Sequence, residues 1–143
     1  MENLQLIKIT KDNDKVELLY KFLTNRQSPI SHQSMPAFSE HKAFVYSHPY
    51  RAWYLIKTGS QYVGTVYLLS NNTLGVHLES GYENALSDVL GLIKTKHRPL
   101  KAIKSVRGGF FSINVSPNNH QMLDALNKLG AVHIQSTYSL GAI

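Results

Sequence analysis

Phe110–Val115 (FFSINV), Asn118–Leu129 (NNHQMLDALNKL), Gly130 and Val132–Leu140 (VHIQSTYSL) decide the fold. The first piece reads as a buried strand and the second as a helix. Asn118 with Gln121 can form a capping box at the helix start, and Gly130 supplies a left-handed stop. The last piece reads as another strand. The order is a strand ending in Val, a short Pro/Asn turn, a helix closing on Lys-Leu-Gly, and a strand.

Working outward toward the N-terminus, Leu4–Thr10 alternates well enough for a first strand. Asp14 can cap a helix with Glu17 as its reciprocal partner, and Val16, Leu19, Tyr20 and Leu23 recur at helical spacing through about Asn25. Ser28-Pro29 ends that helix, and Ser31–Phe38 is a polar loop. Ser39 followed by Glu40–Ser47 reads as a short second helix stopped by Pro49. Arg51–Lys57, a turn at Thr58-Gly59-Ser60-Gln61, Tyr62–Leu69, a turn at Asn71-Asn72 and Leu74–Glu79 predict a three-stranded antiparallel meander. Asn84 caps a helix carrying Leu86, Val89, Leu90 and Ile93 on one face. Lys101–Val106 is either an extra strand or an extended loop.

At 143 residues the chain is one domain, 1–143. A chain of that length buries roughly 68–70% of its unfolded surface. Hydrophobic content of 43% and charged content of 17% are ordinary for a globular protein. No apolar run approaches the ~18 residues needed to span a bilayer. The N-terminal stretch has acids and no apolar signal core, so a cytoplasmic protein is expected. With no cysteine there is no disulfide framework, thiolate zinc site or cysteine nucleophile.

The net charge of +6 is unevenly placed. From Val89 to Met122 there is no acid, and Lys94, Lys96, Arg98, Lys101, Lys104 and Arg107 all fall there. Such a stripe suits a polyanionic ligand, or is simply a solvated face. Few aromatics interleave with these cations, so base stacking and nucleic acid are not suggested. His32, His41 and His48 share one segment, but their spacing matches no metal motif and no acidic cluster accompanies them.

The element order β-α-α-β-β-β-α-β-α-β, with the C-terminal unit quoted above, resembles the GNAT superfamily of N-acetyltransferases over roughly Asp14–Leu140. The resemblance implies an α/β fold of α+β type. It would have a mixed sheet of six to seven strands, about four flanking helices, and a splay between the fourth and fifth strands where acetyl-coenzyme A lies. It also implies a pyrophosphate loop of the form Gln/Arg-x-x-Gly-x-Gly/Ala. Here that stretch is Ser80-Gly81-Tyr82-Glu83-Asn84-Ala85, in which only Ala85 fits in place and Glu83 replaces the middle Gly. The implied cofactor contacts are Val76, Leu78, Gly81, Tyr82, Asn84, Ala85, Asn114 and Asn119, the last near the pantetheine and acetyl group. The tyrosine that protonates the departing thiolate in the family falls at Leu126, which has no proton to give.

Acetyl transfer needs an amine that has lost its proton, hence a base or a water chain. Glu79 stands at the end of the fourth strand where several relatives place a carboxylate, and His77 lies two residues earlier on the same strand face. Tyr138, on the final strand, is the remaining hydroxyl for the thiolate. The region between the first two helices covers the acceptor in the family. Here it carries His32, Ser34, Phe38, His41 and Tyr50, groups suited to an amino sugar, in first instance on a nucleotide carrier. The expected protein is an acetyl-coenzyme A-dependent N-acetyltransferase acting on a small-molecule amine, with a homodimer compatible with the resemblance. The alternative is a non-catalytic module of the same fold that binds a ligand or partner.

Overall fold

Aromatic and branched residues on two strands and one tight turn build the centre of the molecule. The computed structural model describes residues 3–25 and 35–142. In it Ala52–Thr58 (β2) and Gln61–Leu68 (β3) form a hairpin through Gly59, whose φ of 58° suits a residue without Cβ. Leu4–Lys8 (β1) pairs antiparallel with β2, and Thr73–Leu78 (β4) pairs antiparallel with β3. Ser112–Ile113 (β5) joins β4 in parallel, giving the sheet order β1-β2-β3-β4-β5.

Among the described residues, four helices cover the two faces. Asn13–Asn25 (α1) and Phe38–Ser47 (α2) pack Val16, Leu19, Phe22 and Val45 against Trp53, Leu55 and Ile9. On the other face Leu86–Lys96 (α3), preceded by a 3-10 turn at Glu83–Ala85, packs Leu86, Val89 and Ile93 against Ile56, Val66, Leu68, Leu74, Val76 and Leu78. His120–Lys128 (α4) adds Met122 to that core. The α/β class, the mixed sheet and the four helices are those the sequence predicts. No helix among the described residues is long and apolar enough to cross a membrane.

Several local expectations change. The cap of α1 is Asp12 rather than Asp14. Its carboxylate accepts the Lys15 N–H at 3.0 Å and a hydrogen bond from the Thr10 hydroxyl. Those bonds, with Thr10 the larger influence, lower the Asp12 pKa to about 2. Asn119, not Asn118, caps α4 by accepting the Met122 N–H, so the capping box predicted from Asn118 and Gln121 does not form. Gly130 does close the helix in the left-handed region, with φ 78° and a bond from Ala131 N–H to the Leu126 carbonyl. The largest difference is the strand count. Among the described residues there are five strands, because Val132–Leu140 pairs with nothing and lies exposed.

Lys101–Val106 is a loop, tied by one isolated bridge between Ile103 and Arg107. What holds it is Asn72, fully buried in the β3–β4 turn at φ 70°. Its amide nitrogen donates to the Leu100 and Gly108 carbonyls at 2.9 and 2.8 Å, and its oxygen accepts the Leu100 N–H at 2.7 Å. Removing those bonds in Asn72→Ala leaves buried backbone groups unpaired and should cost about 2–4 kcal/mol of stability. Asn72→Gly, which relieves the positive φ, should cost measurably less. Denaturant midpoints at unchanged slope would check both values. Equal losses in the two variants would assign the effect to the side-chain bonds alone.

Candidate functional site

The hydrogen-bond alternation of β4 creates the site. Thr73, Gly75 and His77 face β3 with their backbone groups, as the flanking bonds from Leu69 N–H to Thr73 O and from Glu79 N–H to Val63 O show. The N–H and C=O of Leu74, Val76 and Leu78 therefore point to the other edge. β5 takes that edge only at its start, through Ser112 N–H to Asn72 O and Asn114 N–H to Leu74 O. Beyond Asn114 the strands part, and the backbone of Val76 and Leu78 faces an open cleft. The splay expected from the sequence is present at that point.

The cleft, about 90 Å³, is lined by Val76, His77, Leu78 and Glu79 on one side and Asn114, Val115, Ser116, Asn119 and Met122 on the other. Asn25 closes its end. A second cavity of about 320 Å³ lies between the sheet and α1/α2. Phe22, Phe44, Tyr50, Trp53 and Tyr67 give it an aromatic lining, with Glu40 and His41 as polar members. Tyr50 and Tyr67 stack with ring centres 4.2 Å apart, and Trp53 meets Tyr50 edge-on at 5.0 Å. The Trp53 indole N–H donates to the Thr65 hydroxyl at 2.8 Å, which fixes the ring. Tyr67 lies so close over β4 that a Cβ on Gly75 would fall 2.0 Å from its ring.

His77 lines both cavities. Its Nε2 lies 2.9 Å from Oε2 of Glu79, and the other carboxylate oxygen accepts the Asn25 amide at 2.8 Å. A carboxylate only accepts, so the imidazole presents its Nε2–H to Glu79. The Phe22 ring, 5.6 Å from the imidazole, packs against it. The structure thus brings together the two residues that the sequence singled out as a pair.

The remaining candidates separate. Asn114 and Asn119 line the cleft, although the Asn119 oxygen is also engaged as the helix cap. His41 and Tyr50 line the aromatic cavity, and His41 Nε2 is bonded to the Val16 carbonyl at 3.0 Å. Burial, partly offset by that bond, lowers the His41 pKa and favours the neutral ring. Phe38 packs edge-on against Tyr20 and lines neither cavity. His32 and Ser34 lie outside the described residues. Tyr138 is 82% exposed and lines neither cavity. Asn25, Ser116, Phe22, Trp53 and Tyr67 went unmarked in the sequence. One signal was available for Tyr67: a glycine inside a strand marks a close approach.

The loop after β4 departs most from expectation. Ala85 is wholly buried, and its N–H is taken by the Tyr82 carbonyl. The Tyr82 hydroxyl is held by Gln61. Asn84 is exposed, and no side chain caps the turn. Gly81 holds φ 92°, and its N–H donates at 3.1 Å to the carboxylate of Glu83. A carboxylate thus sits on the backbone donor that the loop offers an anion. The basic stripe does not compensate. Arg107 bonds the Ser70 and Lys101 carbonyls, and Asn72 anchors the same segment at the opposite end of β4 from the cleft.

No family model matches the chain, and no curated protein matches it. Solved structures do. N-acetyltransferase PseH of Campylobacter jejuni aligns with TM-score 0.61 at 14% identity, covering 93% of this chain and 91% of that one. Its complex with acetyl coenzyme A aligns at 0.60 and 14%, covering 94% and 92%. A possible acetyltransferase from Clostridium difficile 630 aligns at 0.59 and 12%, covering 99% of each chain. The ribosomal-protein-alanine N-acetyltransferase of Brucella melitensis biovar Abortus 2308 aligns at 0.60 and 11%, covering 96% and 97%. These likenesses show the fold: it is that of the GNAT acetyltransferases.

Glu83→Ala frees the Gly81 N–H and removes a charge from the loop. It should tighten coenzyme A binding about tenfold, the worth of one charge-assisted hydrogen bond. Titration calorimetry would measure it, and an unchanged constant would remove the loop as the pyrophosphate site.

Proposed function

We propose that this chain is an acetyl-coenzyme A-dependent N-acetyltransferase whose acceptor is a small ring-bearing amine, an amino sugar in first instance. The observation that carries the reading is the His77–Glu79 pair at the strand cleft, in which His77 also lines the aromatic cavity. A cofactor entering along the cleft and an amine seated against the aromatic rings would meet there.

The residues present fit the extended part of the cofactor. The unpaired N–H and C=O groups of Val76 and Leu78 suit a chain carrying amides, and Asn114 and Asn119 stand on the facing wall. When bound, acetyl-coenzyme A supplies an acetyl group activated as a thioester. The protein then has three tasks. The aromatic cavity orients the acceptor, which is where much of the rate enhancement in a positioning enzyme arises. The His77–Glu79 pair takes the proton of the attacking nitrogen, with Asn25 holding the carboxylate in place. Ser80 and Ser116 are the hydroxyls lining the cleft, and solvent, directly or relayed through the buried Ser116, would return a proton to the departing thiolate.

Aromatic faces suit the apolar side of a sugar ring, and Glu40 supplies an acceptor for hydroxyl groups or the ammonium. No Lys or Arg is among the described lining residues of either cavity. That argues for a free amino sugar over one carried on a nucleotide, whose phosphates would seek cations. Glu83 on the Gly81 N–H favours a second reading, a ligand-binding module of the same fold that transfers nothing.

Turnover against a panel of amino sugars, aryl-alkyl amines and peptide N-termini tests the proposal. Glu79→Gln should lower kcat by about 10²–10⁴-fold with little change in the cofactor dissociation constant. His77→Gln should lower it comparably, since the two act as one unit. A kcat within about threefold of wild type in Glu79→Gln would reject the pair as the base. Absence of turnover on the whole panel, with coenzyme A still bound, would favour the binding module.

A further inference from the structure

The stretch of chain that holds no acid is gathered by the fold at one end of the sheet. Six Lys and Arg fall between Val89 and Met122, and the other nine are matched by the nine Asp and Glu of the remaining sequence. Asn72 ties the carbonyls of Leu100 and Gly108 to the β3–β4 turn, and Arg107 donates to the Ser70 carbonyl in the same turn and to that of Lys101. Arg51, just ahead of β2, donates to the Arg98 carbonyl at 3.0 Å. Arg51, Arg98, Lys101 and Arg107 thereby share one rim. Among the described residues the ion pairs lie elsewhere, at Lys15–Asp12 and His77–Glu79. Burial, and after it the charges of Arg51 and Lys96, lower the His97 pKa, as expected where cations crowd together.

The same segment exposes apolar side chains among its cations. Ile103, Val106 and Phe110 are 45, 65 and 56% exposed. The bridge between Ile103 and Arg107 closes a tight loop, and the Ile103 carbonyl accepts the N–H groups of both Val106 and Arg107 at 2.9 Å. The chain reverses at Ser105, whose φ is 65°. The loop is therefore a formed turn that carries Lys104 and Val106, both exposed, between its bridged ends.

We infer that this rim docks on an anionic lipid surface, with its cations against headgroup phosphates and Ile103, Val106 and Phe110 entering the acyl boundary. Charge complementarity calls for a polyanion, and the apolar side chains choose among polyanions. A nucleic acid offers phosphates but no apolar medium for Ile103 and Val106, and binding to its bases relies on aromatic stacking. An anionic bilayer offers both partners. Reversible attachment of a peripheral protein uses that pair of signals, a basic cluster and a modest apolar insertion. The rim lies at the opposite end of β4 from Glu79, and the inference stands apart from the reaction proposed above.

Sedimentation of the full chain with vesicles tests this, using phosphatidylcholine alone and phosphatidylcholine mixed with phosphatidylglycerol. Only the anionic vesicles should carry the protein down, and more strongly at low salt. Each cation near such a surface is worth about fivefold in partitioning, so Lys101→Gln combined with Lys104→Gln should weaken binding about 25-fold. Lys11→Gln combined with Lys21→Gln, which removes exposed cations outside the segment, should leave binding nearly unchanged. Val106→Ser keeps every charge and should weaken binding roughly fivefold through the lost apolar insertion. All these positions are exposed, so circular dichroism should stay that of the wild type. Equal binding to neutral vesicles, no binding to anionic ones, or indifference to the Lys101 and Lys104 changes overturns the inference. So does an oligonucleotide that strips the protein from the vesicles and binds Val106→Ser as tightly as wild type, since the rim would then be a nucleic-acid surface.

Discussion

The short pairing of β4 with β5 is the constraint on which the rest depends. Two residues of parallel ladder bring the strands together at Thr73–Ser112 and Leu74–Ile113, and the turn through Pro117 then carries the chain away. The divergence is held by packing. Met122 of α4 is buried among β4 and α3 residues, and Asn119 fixes where that helix begins. An edge strand with unpaired backbone groups is normally a liability. Here those groups line a cleft whose far wall is a capped helix, and α1 reaches the same gap through Asn25.

Electrostatics at the cleft work differently from what the overall charge suggests. The chain carries +6, yet the charged residues lining the cleft are Glu79 and Glu83. The cations of the segment after α3 are fastened to the β3–β4 turn by Asn72 and Arg107, four strand residues or roughly 13 Å before the cleft begins at Val76. At physiological salt the screening length is about 8 Å, so a charge that far off contributes little to holding an anion in the gap. An anionic cofactor would depend on backbone donors, and Glu83 competes for one of them. The stripe therefore serves the loop it belongs to more than the site.

What could be read in the sequence was whatever is settled locally. The aromatic and branched residues and intervening turns of β2 and β3, the helical spacing of Val16, Leu19 and Leu23, and Gly130 as a helix stop are short-range signals, and the structure follows them. The His77–Glu79 pair was legible because strand residues two apart share a face. The aromatic cavity was not, since Phe22, Trp53 and Tyr67 come from one helix and two strands and meet only through tertiary packing. The anchoring of 98–108 by Asn72 was hidden for the same reason: an asparagine in a turn looks like turn chemistry until its buried partners are known. Asp12 over Asp14, and Asn119 over Asn118, are shifts of one or two residues of the kind expected at helix boundaries.

The C-terminal third poses the opposite case, in which local signals are strong and packing is thin. Its helix and strand patterns are the clearest in the sequence, but α4 contributes one fully buried side chain and the strand pattern finds no partner. A nine-residue helix has little stability of its own in water, since helices that short form mainly through tertiary contact. α4 nevertheless supplies Asn119 and Met122 to the cleft wall, and β5 supplies Asn114. The geometry of the gap therefore rests on the least covered elements of the fold.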